Sequence, residues 1–248
     1  FSDQNLTGTT FTIPSGMASG TYLLECFFVG SYFQIDSYTG NGANRTLSFD
    51  STLDTAPGFM VFHDRVDNGM EKLAYHESLG NGKFLQCEAT AAAGTSATFL
   101  NSTSPTTTTF RLGTMDNVNK NTSTYIMYAW ANSGPYVFGS YTGNANADGP
   151  VISVGGMPQQ FFVKSTVSAD SWSTKSFPIQ GYNVQNQVMY MDLTNANYNG
   201  ADLRDFLSTG WKMRDTNGNG SGNLYVYGAF GIQPIQGNGK DTSQGRAK

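Results

Sequence analysis

Apolar and polar residues alternate along short runs of this chain, the two-residue period of a half-buried β-strand. Three such runs, Phe11-Thr12-Ile13, Phe110-Arg111-Leu112 and Trp211-Lys212-Met213, each precede a second kind of run. That second run reads Tyr, an aliphatic residue or Met, two variable positions, a small residue and an aromatic. It occurs at Tyr22–Phe27, Tyr125–Trp130 and Tyr225–Phe230. The segments between the two kinds of run are rich in turn residues, so each pair is predicted to form a β-hairpin with a loop of variable length. Two further aromatic strands follow prolines, Phe59–Phe62 after Pro57 and Phe161–Val163 after Pro158. Helical periodicity is nearly absent. Only Ala201–Leu207 places apolar residues (Leu203, Phe206, Leu207) at helical spacing, with Gly210 as a stop.

The same markers suggest an internal duplication. Ser37-Tyr38-Thr39-Gly40-Asn41 recurs as Ser140-Tyr141-Thr142-Gly143-Asn144 at an offset of 103 residues, and no gap is needed upstream to align the Tyr strands. The predicted fold is therefore all-β, with two tandem, similar antiparallel β-sandwich units of jelly-roll or lectin-like type, each of about 100 residues. They are placed at residues 1–132 and 133–236, followed by a polar tail at 237–248. The chain opens and closes on the same predicted hairpin, as a length cut from a longer array would, and each unit is expected to borrow a hairpin from its neighbour to finish its sheets.

Composition narrows the class of protein. Charged residues are 13% of the chain, against roughly 25% in ordinary soluble domains. Solubility must then rest on Ser, Thr, Asn, Gln and Gly, as in many extracellular and particle-bound β proteins. The net charge is -4 and no basic stripe is present, so nucleic acid is not an expected partner. No apolar run of 18 or more residues occurs, so membrane insertion is not expected. A start at Phe1 fits a processed chain or a piece of a longer one. Cys26 and Cys87 could pair, but free thiols are favoured, because Cys26 stands where the repeat partner is a small core Ala.

Catalytic arrangements find little support. A glycosidase needs two facing carboxylates. The glutamates Glu25, Glu71, Glu77 and Glu88 all fall in the first half of the chain. His63 and His76 sit beside predicted strands, where a half-exposed structural role is expected; His76 and Glu77, as strand neighbours, point to opposite faces. Asp215-Thr216-Asn217-Gly218-Asn219-Gly220 matches half of a calcium loop, but the position of the bidentate Glu is Val226, so a tight turn is favoured. No catalytic, cofactor or metal residues are assigned. The sharpest contact candidate is Trp172, in the least strand-like aromatic segment and the ring most expected to be exposed, where it would stack on a sugar; for any single ring a structural role is the favoured reading. Tyr141, Asn144 and Asp148 join it as candidates for glycan or receptor contact.

Several longer stretches carry a resemblance. They are Tyr125–Ala131, Phe138–Asn144 with Asp148-Gly149-Pro150, Ala74–Gly80, Phe99–Thr106, Tyr182-Asn183-Val184 and Phe206–Arg214. Together they resemble a tandem β-rich repeat domain of unknown function found in virion and tail-fibre proteins of marine tailed bacteriophages. The first half departs from the pattern after Asn41, with Gly42–Thr46 where Asp-Gly-Pro is expected. The resemblance implies a non-catalytic virion structural protein on the particle surface, in a tail fibre or appendage that contacts a host surface glycan or receptor beside other virion proteins. Fibres of this kind are often trimeric, so the resemblance allows a homotrimer, but no heptads or β-helix repeats are visible and the oligomeric state is left open. A capsid decoration or knob protein, a lectin-like module and a surface-polysaccharide depolymerase are the alternatives.

Overall fold

The computed structural model describes residues 25–67, 69–194 and 198–234. In chain order its first strands are β1 (Phe33–Thr39), β2 (Arg45–Ser48), β3 (Pro57–Asp64), β4 (Leu73–His76), β5 (Lys83–Gln86), β6 (Gly94–Thr95), β7 (Thr109–Leu112) and β8 (Thr124–Ala131). Then come β9 (Tyr136–Thr142), β10 (Val151–Ser153), β11 (Gly156–Met157), β12 (Gln160–Ser165), β13 (Ser173–Ser176), β14 (Gln185–Tyr190), β15 (Tyr198–Leu207), β16 (Gly210–Met213), β17 (Leu224–Phe230) and β18 (Gln233–Pro234). The helices are single turns, α1 (Asp116–Asn119) and α2 (Phe177–Gln180). The chain is all-β and its paired strands are antiparallel.

Two large sheets share no strand. One has six strands in the order β1-β8-β3-β4-β5-β6; the other has eight, β10-β16-β15-β14-β13-β12-β17-β9, and curls towards a barrel. Two short ladders, β2 with β7 and β11 with β18, stand apart from them. The Tyr strands are central. β8 lies between β1 and β3, with Tyr125 opposite Tyr38, and β17 lies between β9 and β12, with Tyr225 opposite Tyr141.

The alternation within these strands explains their composition. On β8, Met127 and Ala129 face a core with Phe62, Phe99 and Phe110; on β17, Tyr225, Tyr227 and Ala229 face another with Phe161 and Trp211. The small residue leaves room for its cross-strand neighbours, Met60 beside Ala129 and Phe161 beside Ala229. The aromatic that follows it points the other way. Trp130 and Phe230 therefore enter a third apolar layer, shared by both sheets, with Phe33, Phe59, Phe138, Phe162 and Trp172. Phe59 lies at its centre, 5.1 Å from the Phe162 ring, 5.7 Å from Trp130 and 5.7 Å from Phe138. Phe27, ahead of β1, completes the layer against Trp130 and Phe230.

Polar ties cross the same boundary. His76 is wholly buried: its Nε2 donates to the Tyr227 carbonyl at 3.0 Å and its Nδ1 accepts the Ser78 N–H at 3.2 Å. Both ring nitrogens are thus satisfied in one neutral tautomer, and burial lowers its pKa to about 4. The Lys164 ammonium donates to the Thr90 carbonyl at 2.7 Å, and the Asp170 N–H reaches the same oxygen at 2.8 Å.

Several sequence expectations are corrected. The predicted helix at residues 201–207 is instead part of β15, because Asp202, Arg204 and Phe206 alternate inward between β14 and β16. Gly210 begins β16, where a Cβ would lie 1.9 Å from the Ile152 oxygen. The expected hairpins do not form. β7 pairs with β2, and β16 with β10 and β15, while the turn-rich segments cross to the central strand of the large sheet, which already has a neighbour on each side. The predicted hairpin nearest the start of the chain falls mostly outside the described residues; its residues 25–27 carry no strand. Among the described residues each large sheet is built from strands of one half of the chain. His76 is buried rather than half-exposed; Cys26 and Cys87 are free thiols, as favoured, but Cys26 is exposed rather than in a core position. No helix among the described residues is long and apolar enough to cross a membrane.

Two predictions follow from the shared layer. Phe59→Ala should destabilise the chain by about 3–5 kcal/mol in urea titrations, because a central ring is lost where the layer cannot collapse. The folded-state pKa of His76 lies below its unfolded value, so protonation favours unfolding. Its contribution is complete above about pH 6.5 and falls away towards pH 4, by up to about 3 kcal/mol. His76→Gln should remove this part of the acid sensitivity, measured as the difference between the two stability-against-pH curves; Glu77, whose pKa burial raises, is common to both.

Candidate functional site

The Ser-Tyr-Thr-Gly-Asn runs end β1 and β9, and each is clasped by the crossing segment that precedes its partner Tyr strand. In the eight-stranded sheet, the rings of Tyr141 and Tyr225 stack at 5.2 Å with their planes 14° apart. The Tyr141 hydroxyl donates to the Gly218 carbonyl at 2.5 Å, and the Tyr225 hydroxyl accepts the Gly220 N–H at 2.9 Å. Gly143 must lack a side chain, because a Cβ there would stand 2.3 Å from the Gly220 oxygen.

Asn219, wholly buried, ties the two loops together. Its Oδ1 accepts the Asn144 N–H at 2.9 Å, while its amide nitrogen donates to Asn144 Oδ1 at 3.0 Å, the Asn146 carbonyl at 2.8 Å and the Asp215 carbonyl at 3.1 Å. The six-stranded sheet repeats the arrangement. Tyr38 stacks on Tyr125 at 5.1 Å and donates to the Val118 carbonyl, and the Tyr125 hydroxyl accepts the Lys120 N–H. Buried Asn119 accepts the Asn41 N–H at 3.0 Å and donates to the carbonyls of Ala43 and Gly113. Burial holds the hydroxyl pKa of both Tyr38 and Tyr141 well above the usual value, so both remain donors.

Outside the clasp, residues 144–148 are exposed. Asn144 Oδ1 accepts the Asn146 N–H at 3.0 Å, and Asn146 Oδ1 accepts the Asp148 N–H at 2.9 Å. Asp148 pairs with Lys212, which lowers its carboxyl pKa. The result is a small polar surface of amide groups and one ion pair, fixed from below. Beside it, buried Arg204 bonds Asp215 at 2.9 Å and the carbonyls of Leu203 and Asn217. The Tyr190 hydroxyl donates to Asp202 at 2.8 Å. These bonds lock the Asp215–Gly220 turn, and Asp215 is held by the guanidinium.

The structure divides the four sequence-predicted contact residues. Asn144 and Asp148 are exposed and adjacent, whereas Tyr141 is half-buried in the clasp. Trp172 is not exposed: 1% of its surface reaches solvent, and its indole N–H donates to the Gln86 carbonyl at 2.9 Å across the sheet boundary. It is the flanking Ser and Asp residues that gave the segment its loop-like pattern; the ring fills the shared aromatic layer. Asn219 and Asn119 escaped sequence reasoning, although both stand six residues before a Tyr strand, a regularity visible in the sequence.

Glu71 accepts from Gln86, Glu77 from Asn132, and Glu88 pairs with Lys72. Among the described residues no three His, Cys, Asp or Glu side chains gather into a metal cluster.

A domain of unknown function, DUF7483, matches residues 29–234. No curated protein and no solved structure matches the chain.

Asn219→Ala should leave several buried polar groups without partners and cost about 2–3 kcal/mol, with faster amide hydrogen exchange at residues 143–149 while β12 and β17 stay protected. Asn119→Ala should act in the same way on residues 40–43.

Proposed function

The chain belongs to the DUF7483 family, domains of unknown function, and we propose that it is a non-catalytic structural segment of a bacteriophage particle that displays polar loops to a host surface glycan or receptor. The observation that carries this reading is the fixed loop at residues 144–148. Its outward amide and carboxylate groups are oriented before any ligand arrives, because Asn219 ties their backbone to the crossing turn. Preorganised polar groups bind with little ordering cost, which suits recognition of sugar hydroxyls. The low charge and the resemblance to virion repeat domains supply the setting, a tail fibre or appendage at the virion surface among other virion proteins. The likeness of the two clasps further supports a duplicated unit, with the division near residue 133.

A capsid decoration role would use the same surface for packing on a shell, and the resemblance permits it. A depolymerase is disfavoured by the separate partners of Glu71, Glu77 and Glu88.

Binding to arrayed glycans and to purified bacterial surface polysaccharides tests the proposal. The wild-type chain should bind a subset, and Asn144→Ala combined with Asp148→Ala should reduce that binding at least tenfold with unchanged circular dichroism. Absence of binding to every surface glycan and to intact cells would overturn adhesion, and release of reducing sugar would point to a depolymerase instead.

A further inference from the structure

We infer that Gln34, Asp36 and Asp50 form a binding site for a calcium-like divalent cation at the edge of the six-stranded sheet. The site is independent of the loop proposed above to meet glycans.

Gln34 and Asp36 lie two residues apart on β1 and face the same side of the sheet as Tyr38. Gln34 is wholly buried and Asp36 is 8% exposed. Among the described residues neither Asp36 carboxylate oxygen has a hydrogen-bond partner, and neither has the Gln34 side-chain oxygen. Three acceptor oxygens are thus withdrawn from water without a donor, an arrangement folded proteins rarely tolerate.

The heads of these side chains meet one short segment. The Gln34 amide nitrogen donates to Ser51 Oγ at 2.6 Å and to the Gly30 carbonyl at 2.6 Å, which directs the amide oxygen away from those acceptors. Ser51 follows Asp50, whose carboxylate acts on Asp36 as a neighbouring negative charge. The Asp50 backbone N–H and the Asp50 carboxyl both reach towards Asp36, and neither makes a hydrogen bond of normal geometry with it. Two like charges and an unpartnered amide oxygen therefore lie along one strand edge, and among the described residues no cation is paired with Asp36 or Asp50. Hard oxygen donors of this kind, with water on the remaining positions, are what calcium takes. Asp50 is exposed and gives a route in from solvent.

The eight-stranded sheet shows that the fold does not require these groups. Asp36 stands two residues before the clasp Tyr38, opposite Met127; the same position before Tyr141 is Gly139, opposite Tyr227. Gln34 corresponds in register to Val137, which packs against the core. Where one sheet closes with a glycine and a valine, the other keeps a buried carboxylate and amide.

The test uses the whole chain, stripped with chelator at pH 7.5. Calorimetric titration with calcium chloride should show one site with a dissociation constant on the order of 10⁻⁴–10⁻³ M, and the melting temperature should rise with calcium concentration. Asp50→Asn, at an exposed position, should abolish both effects while leaving the circular dichroism unchanged, and Asp36→Asn should do the same. If Asp36→Asn does not fold, Asp50→Asn decides alone. No calcium heat up to about 10 mM would overturn the inference. So would equal binding in wild type and Asp50→Asn, which would place the cation elsewhere. A melting temperature raised by Asp36→Asn and indifferent to calcium in the wild type would also overturn it, leaving a carboxyl pair that shares a proton.

Discussion

The aromatic layer between the two large sheets is the contact on which the rest of this structure depends. Each sheet must bury both faces, and each has only one core of its own. Phe59, Trp130, Phe138, Phe162, Trp172 and Phe230 cover the second face of both at once. Rings pack here edge-on and tilted as well as stacked, so the layer combines a large buried area with specific geometry. The buried hydrogen bonds of His76 and Trp172 add direction. A slip of one sheet over the other would leave the Tyr227 and Gln86 carbonyls facing apolar rings without donors.

The clasp follows from the same constraint. Because β8 and β17 are central strands with both neighbours in place, the chain must reach them by crossing from the opposite side of its core rather than by a hairpin. Such a crossing exposes backbone groups over the sheet end. Asn119 and Asn219 meet them with a side chain that both donates and accepts, and the stacked tyrosines seal the edge below. The polar loops beyond are then held still without contributing to a core, and so are free to carry contacts.

Much of this was legible in the sequence. The two-residue alternation located β7 and β16, the recurring Tyr pattern located β8 and β17, the aromatic runs after Pro57 and Pro158 located β3 and β12, and together they pointed to an all-β chain. The Ser-Tyr-Thr-Gly-Asn runs marked equivalent register positions, since Tyr38 and Tyr141 each lie opposite a Tyr strand. Their role was not legible, because the bonds of Tyr141 and Asn144 go to residues 75–77 positions away. β15 was misread for a related reason: Asp202 and Arg204 look like surface positions until Tyr190 and Asp215 are seen to pair with them, and without them the remaining Leu203, Phe206 and Leu207 mimic a helix.

What the sequence determined by itself was local: which runs alternate, where turns fall, and how little charge the surface carries. Those properties come from neighbours along the chain. The tertiary structure decided which face of each strand is outside. Trp130 and Trp172 sit on strand faces or loops that a lone sheet would leave in water, and they are buried only because a second sheet lies across them. Gln34 and Asp36 likewise acquire their meaning from Asp50 and Ser51, a segment that reaches them only after the chain has turned back along the edge of the sheet. Burial is a property of the assembled layers, and no single strand carries it in its own sequence.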